Sequence, residues 1–214
     1  MNKIGIFGGT FNPIHYGHLR TALEVKEHFS LDKVLFIPSY IPPHKSSDDI
    51  IPSDKRLFMT IMAVSNYEGF AISDIEISRE DVSYSIDTVN AIKEEYGDAR
   101  LSFIIGADAF FDINSWNRYD ELMFLCDFIV MTRPGTVLKE PGELFPEPVG
   151  SRFRYDKLCN LYESDKGNRI FFHDVTELDI SSTKIRKLCK MKSSIKYLLP
   201  EKVEKYIEEH SLYQ

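Results

Sequence analysis

The sequence predicts an α/β fold, a doubly wound, mainly parallel sheet with helices on both faces and a C-terminal helical segment. Three observations predict it. Short apolar runs of strand length alternate with longer segments of helical periodicity. Each strand-like run ends in a glycine or proline loop. The 214 residues, 43% hydrophobic and 28% charged, are enough to bury one substantial core, so a single domain over 1–214 is expected.

Lys3 to Phe7 reads as a buried strand ending in Gly8-Gly9, and Gly17 to Phe29 as a helix carrying Leu19, Ala22, Leu23 and Val25 among polar residues. Lys33 to Ile37 is a second strand stopped by Pro38, and Ser53 to Asn66 a second helix. Phe70 to Ile77 is strand-like, and Ser85 to Tyr96 is a helix closed by Gly97. Leu101 to Ile105 is a strand running into Gly106, followed by helix from Asp108 to Leu125 with a break around Asn114 to Asn117. Phe128 to Met131 is the next strand, ended by Arg133-Pro134-Gly135. From there to Gly150 come four prolines and three glycines without periodicity, so 135–168 is expected to be a loop or lid insertion, with Arg152 to Glu163 helical inside it. Arg169 to His173 is a last strand, and 181–214 a helical segment with helices at Ser182 to Lys190 and Glu201 to Glu209.

Charge and cysteine usage exclude several functions. With 33 acidic against 26 basic residues and a pI near 5.4, the chain lacks the overall positive field of a protein that grips nucleic acid through phosphates. Eight Lys or Arg against two Glu between Ser181 and Lys205 form a local basic patch, better suited to a triphosphate or to solvent. Cys126, Cys159 and Cys189 form no CxxC pair, which points to reduced thiols rather than a disulfide framework or zinc ribbon. No stretch approaches the roughly 20 apolar residues of a membrane span, and the strand-like start leaves no room for a signal peptide, so a cytoplasmic protein without membrane contact is expected. Nothing fixes the oligomeric state, and a homo-oligomer stays open.

In a doubly wound sheet, ligands sit outside the carboxyl ends of the strands. The segment Gly8 to His18, GGTFNPIHYGH, is such a strand end. Its small residues let backbone N–H groups approach a ligand, and the helix start near Gly17 favours negative charge, so the segment reads as a phosphate cradle. It is neither G-x-G-x-x-G nor a P-loop. His15 and His18, at i and i+3, can face one anion, which suggests phosphoryl or nucleotidyl transfer. The plain alternative is a tight turn with two histidines capping backbone groups. A zinc site is not expected, because the neighbourhood offers no further His or Cys until His28.

These residues carry a resemblance. GGTFNPIHYGH resembles the (H/T)xGH nucleotidyltransferase signature, whose members have a Rossmann-like fold and make nucleotidyl bonds from nucleoside triphosphates. Within that superfamily, Ile37-Pro38 with Pro42-Pro43-His44-Lys45, the run Ser83 to Thr88, Gly106-Ala107-Asp108 with Trp116, Arg133-Pro134-Gly135, and the run Ile180 to Arg186 are similar, in order and spacing, to the bacterial nicotinate-nucleotide adenylyltransferases. The departures are Asn12 where the family usually has Asp, Ser85 where Thr is usual, and Ser39-Tyr40 where asparagines are frequent.

The resemblance implies adenylyl transfer from ATP, carried with Mg²⁺, to nicotinate mononucleotide, giving nicotinate adenine dinucleotide and pyrophosphate in NAD biosynthesis. It implies His18 on the α-phosphate, His15 on neighbouring oxygens, and Gly8, Gly9, Thr10 and Phe11 as cradle. Ser181, Ser182, Thr183 and Arg186 would take the outer phosphates, with Arg186 counted among the catalytic groups and Arg133 among those binding ATP. Gly106 and Asp108 would receive the adenosine, although Asp108 can also simply cap a helix. Trp116, a residue as suited to core as to ligand, would stack on the pyridine ring, with Ser85 and Asn117 at its carboxylate and His44 and Lys45 near the mononucleotide phosphate. Competing readings are a sister transferase acting on nicotinamide mononucleotide or phosphopantetheine, and a nucleotide-binding regulator without chemistry.

Overall fold

The computed structural model describes residues 2–43, 50–132, 141–156, 158–159 and 161–214. Its centre is one eight-stranded sheet in the order β3-β2-β1-β4-β5-β8-β7-β6, built from β1 (Lys3–Gly9), β2 (Lys33–Pro38), β3 (Phe70–Ile72), β4 (Arg100–Gly106), β5 (Asp127–Thr132), β6 (Phe153–Asp156), β7 (Leu161–Ser164) and β8 (Arg169–Asp174). Every pairing from β3 across to β8 is parallel, while β6, β7 and β8 are joined antiparallel. The chain steps one way from β1 to β3 and the other way from β4 to β5, so the strand order reverses between β1 and β4, where a crevice opens at the carboxyl ends.

Alternation along each central strand sorts the core into two layers. Ile4, Ile6, Leu35, Ile37, Phe103 and Phe128 point to one side, and Val34, Phe36, Ile104 and Ile129 to the other. The first side is covered by α4 (Ser85–Tyr96), α5 (Ala107–Phe111) and α6 (Tyr119–Leu122), through residues such as Val89, Phe110 and Leu122. On the second side lie α1 (Tyr16–His28), α2 (Ser53–Val64), α8 (Ser182–Lys190) and α9 (Glu201–Glu209), through Ala22, Met59, Ile185 and Val203. Strands buried on both faces are why the sequence shows apolar runs there instead of alternation.

Two expectations need correction. Phe70 to Ile77 is not one strand: pairing to β2 ends at Ile72, and Ile75–Arg79 coils into α3, which turns Glu76 inward. The helix expected over Arg152 to Glu163, inside the segment 135–168, is replaced among the described residues by the strands β6 and β7. After the short α7 (Pro141–Leu144), β6 and β7 form an antiparallel hairpin whose Phe153 and Tyr162 are buried with Phe145 and Val149 against the main core. These aromatic residues fit a pleated surface better than a helix. The break expected at Asn114 to Asn117 begins earlier, at Asp112, and continues as a single 3₁₀ turn over Ile113–Ser115. Among the described residues no helix is long and apolar enough to cross a membrane.

Candidate active site

The crevice at the β1 and β4 ends is two pockets sharing a wall of glycine backbone, since Gly8, Gly9 and Gly106 line both. A Cβ added at Gly8 or Gly106 would meet nothing within 4 Å, so internal packing does not call for glycine there. What glycine provides is bare backbone facing the cleft.

The first pocket, a cavity of about 300 Å³, opens on the α4 side. Thr10, Ser85, Trp116 and Asn117 line it together with Phe103, Tyr84, Pro42 and Pro43. Trp116 does both things its type allows: one edge packs on Phe103, centroids 6.2 Å apart at 79°, and the residue also walls the pocket. Deeper in, Glu76 is buried and accepts from Thr88 Oγ1 at 2.6 Å. Burial pushes its carboxyl up, against hydrogen bonds from Thr88 and Ser83 that pull it down.

The second pocket, about 460 Å³, opens on the α1 side and is lined by Phe11, His15, His18, Asp108 and Glu177 among others. His15 and His18 are stacked, centroids 3.7 Å apart at 26°. The backbone N–H of His15 donates to His18 Nδ1 at 3.2 Å, which leaves the proton of a neutral His18 ring on Nε2. His15 is buried, and burial lowers its pKa to about 4. Gly17 is required sterically: a Cβ there would stand 2.9 Å from the His15 ring. Phe11 sits at φ 45, a left-handed conformation for a non-glycine residue, and is held by edge contacts to Phe7 and His18.

The loop bearing these residues is tied down by remote groups. Arg56 on α2, almost wholly buried, donates to the carbonyls of Thr10, Tyr40 and Ile51 at 2.8, 3.0 and 3.0 Å. Ser182 Oγ donates to Pro13 O at 2.8 Å, and Arg186 Nη1 to Asn12 O at 2.9 Å. Ser181 caps α8 by accepting from the Lys184 N–H at 3.2 Å.

The structure therefore brings together in the two pockets Gly8, Gly9, Thr10, Phe11, His15, His18, Ser85, Gly106, Asp108, Trp116 and Asn117. Ser181, Ser182, Thr183 and Arg186 line neither; they lie behind the loop, with Arg186 also reaching Thr183 Oγ1 at 3.4 Å. His44, Lys45 and Arg133 lie outside the described residues. Sequence reasoning missed Arg56, Glu76 and Tyr213, whose hydroxyl donates to Asn12 Oδ1 at 2.9 Å. For Arg56 a signal existed: it falls at helical spacing with Met59 and Thr60, on the face that α2 buries.

A family model described as cytidylyltransferase-like matches residues 6–188. A probable nicotinate-nucleotide adenylyltransferase of Geobacter sp. (strain M21) is 43% identical over 211 residues, covering 99% of this chain and 98% of that relative. One of Thermoanaerobacter sp. (strain X514) is 44% identical over 213 residues, covering 99% and 94%. The fold is shared with Plasmodium falciparum nicotinic acid mononucleotide adenylyltransferase complexed with NaAD, at TM-score 0.75 and 20% identity over 100% of this chain and 98% of that one.

Proposed function

This chain belongs to the cytidylyltransferase-like family and, within it, to the nicotinate-nucleotide adenylyltransferases, and we infer that its two pockets hold the two reactants of one adenylyl transfer. The reaction joins ATP to nicotinate mononucleotide and forms nicotinate adenine dinucleotide, a step of NAD biosynthesis. The observation that carries the assignment of the pockets is their shared glycine wall. A nucleotide in each would bring both phosphates to the backbone of Gly8, Gly9 and Gly106, close enough for one to attack the other.

The monoester phosphate, with a second pKa near 6, is already ionised at neutral pH and needs no base. An oxygen of the mononucleotide phosphate forms a bond to the α-phosphorus of ATP, the bridge to the β-phosphate breaks, and pyrophosphate departs with the electron pair. The protein's work is then to place two anions and stabilise charge on the transferring group. His18 presents Nε2–H to the α-phosphate, and neutral His15 adds bonding without charge. The main-chain groups of Gly9, Thr10 and Phe11 complete the cradle. Asp108 meets the ribose, Trp116 stacks on the pyridine ring, and Ser85 with Asn117 receives its carboxylate, while Arg186 and Ser182 at the α8 start hold the cradle loop from behind. Mg²⁺ would come to the site on the triphosphate and offset part of its charge there. A cytoplasmic reaction is the reading that the free thiols of Cys126, Cys159 and Cys189 support.

The test is to incubate the chain with ATP, Mg²⁺ and each pyridine mononucleotide in turn, following pyrophosphate and dinucleotide. Stoichiometric formation of both from nicotinate mononucleotide is expected; release of neither would overturn the reading.

A further inference from the structure

The loop between β1 and α1 is also held from the far end of the chain. After α9 the backbone reverses through Ser211 at φ 48 and Tyr213 at φ 63, left-handed conformations that non-glycine residues keep only when their surroundings hold them. Here Leu212 is buried and its N–H donates to Ile207 O at 3.0 Å, and the Tyr213 ring is buried on the α1 side of the sheet. The turn delivers the Tyr213 hydroxyl to Asn12 Oδ1 at 2.9 Å. That oxygen faces a longer contact from the Ile51 N–H at 3.5 Å, and the main-chain carbonyl of the same asparagine takes the Arg186 bond. Burial raises the phenol's pKa well above its ordinary value, so it stays a proton donor.

We propose that Tyr213 is a positioning residue for adenylyl transfer, acting through Asn12 to fix the loop that presents His15 and His18. Neither Tyr213 nor Asn12 lines a pocket, so the effect is geometric. Asn12 lies in the loop that ends at His15, the cap residue of α1, with His18 in the first turn of that helix, and it follows Phe11, which is strained and buried. Hinged there, a small displacement of Asn12 carries to the imidazoles, and misplacing a reacting geometry by about 1 Å can cost on the order of 10² in rate. The two nucleotides touch other surfaces as well, so their binding should depend on this bond less than turnover does.

The proposal rests on the adenylyl-transfer reading. Tyr213→Phe keeps the ring in the core and removes only the hydroxyl. In the full-length chain we expect kcat to fall roughly ten-fold while KM for ATP and for nicotinate mononucleotide each stay within about twofold, with cooperative unfolding retained. Asn12→Ala should lower kcat similarly, and the double variant should lose no more than Asn12→Ala alone, because both remove one contact. An unchanged kcat in Tyr213→Phe, or losses that multiply in the double variant, would overturn the proposal and leave Tyr213 as core packing. A parent chain that forms no dinucleotide fails the catalytic reading and this inference with it, whereas an active parent with an equally active Tyr213→Phe fails this inference alone.

Discussion

On the α4 side of the glycine wall, the pocket is shaped by side-chain volume. Trp116, Phe103, Tyr84 and two prolines surround a few hydroxyls and amides, and Glu76 is the charged side chain among the described lining residues. On the α1 side two stacked histidines and the ends of β1 and β4 face the cleft, and the loop that leads into the histidines is bonded from behind by Arg56, Ser182, Arg186 and Tyr213. The difference separates two tasks. Recognising a flat, neutral-to-anionic ring calls for shape and a few donors. Stabilising charge that develops during transfer calls for donors that cannot move.

The sharpest way to break this contrast is His18→Ala. It removes a preorganised donor, so kcat should fall by on the order of 10² to 10³ with cooperative unfolding retained, and a variant with undiminished turnover would erase the distinction.

His15 tests how dry the α1 side is. Its pKa falls from 6.5 to about 4 on folding, so the unfolded chain binds the proton first. Its contribution is fully present above pH 6.5 and is lost as pH falls toward 4, by about 3 kcal/mol at most. Denaturant unfolding across that window should show stability dropping with pH, and His15→Gln should flatten this part of the slope.

The α4 side should instead show itself in selectivity. Where the Ser85 hydroxyl and neighbouring N–H groups donate to the carboxylate, an amide in its place leaves one donor unpaired, at about 1 to 3 kcal/mol, so nicotinate mononucleotide should be preferred over its amide by roughly ten-fold or more. Ser85→Ala should lose more activity with the acid than with the amide. Equal kcat/KM for the two mononucleotides in the parent chain would show that this pocket does not discriminate.

The smallest effect is expected behind the loop. Ser181→Ala removes an N-cap of α8 and should cost about 1 kcal/mol of stability by chemical denaturation. A rise in KM for ATP with no change in stability would put Ser181 on the ligand instead.

Strand ends were the most readable feature of the chain, and the reason is local. Gly8-Gly9, Pro38 and Gly106 punctuate apolar runs, and a glycine facing open space leaves the same mark in sequence as in structure. The helices Ser182–Lys190 and Glu201–Glu209 fall where the periodicity puts them. The hairpin β6–β7 was not readable, because runs as short as Phe153–Asp156 and Leu161–Ser164 become strands only by pairing, β6 with β7 and β7 with β8. Glu76 was hidden in the same way: Ile72, Ile75 and Ile77 suggest a strand, and only the end of pairing at Ile72 frees the chain to coil and bury the acid.

The sequence by itself determined the layered α/β architecture, the glycine-bounded crevice and the pair of histidines at a helix start, because each follows from spacing within a single segment. Tertiary structure alone decided what holds those groups in place. Arg56 reaches the Thr10 carbonyl from α2, and Tyr213 reaches Asn12 from the other end of the chain. Such bonds join residues far apart in sequence, and a buried guanidinium or phenol is tolerable only where the fold has already gathered enough acceptors around it.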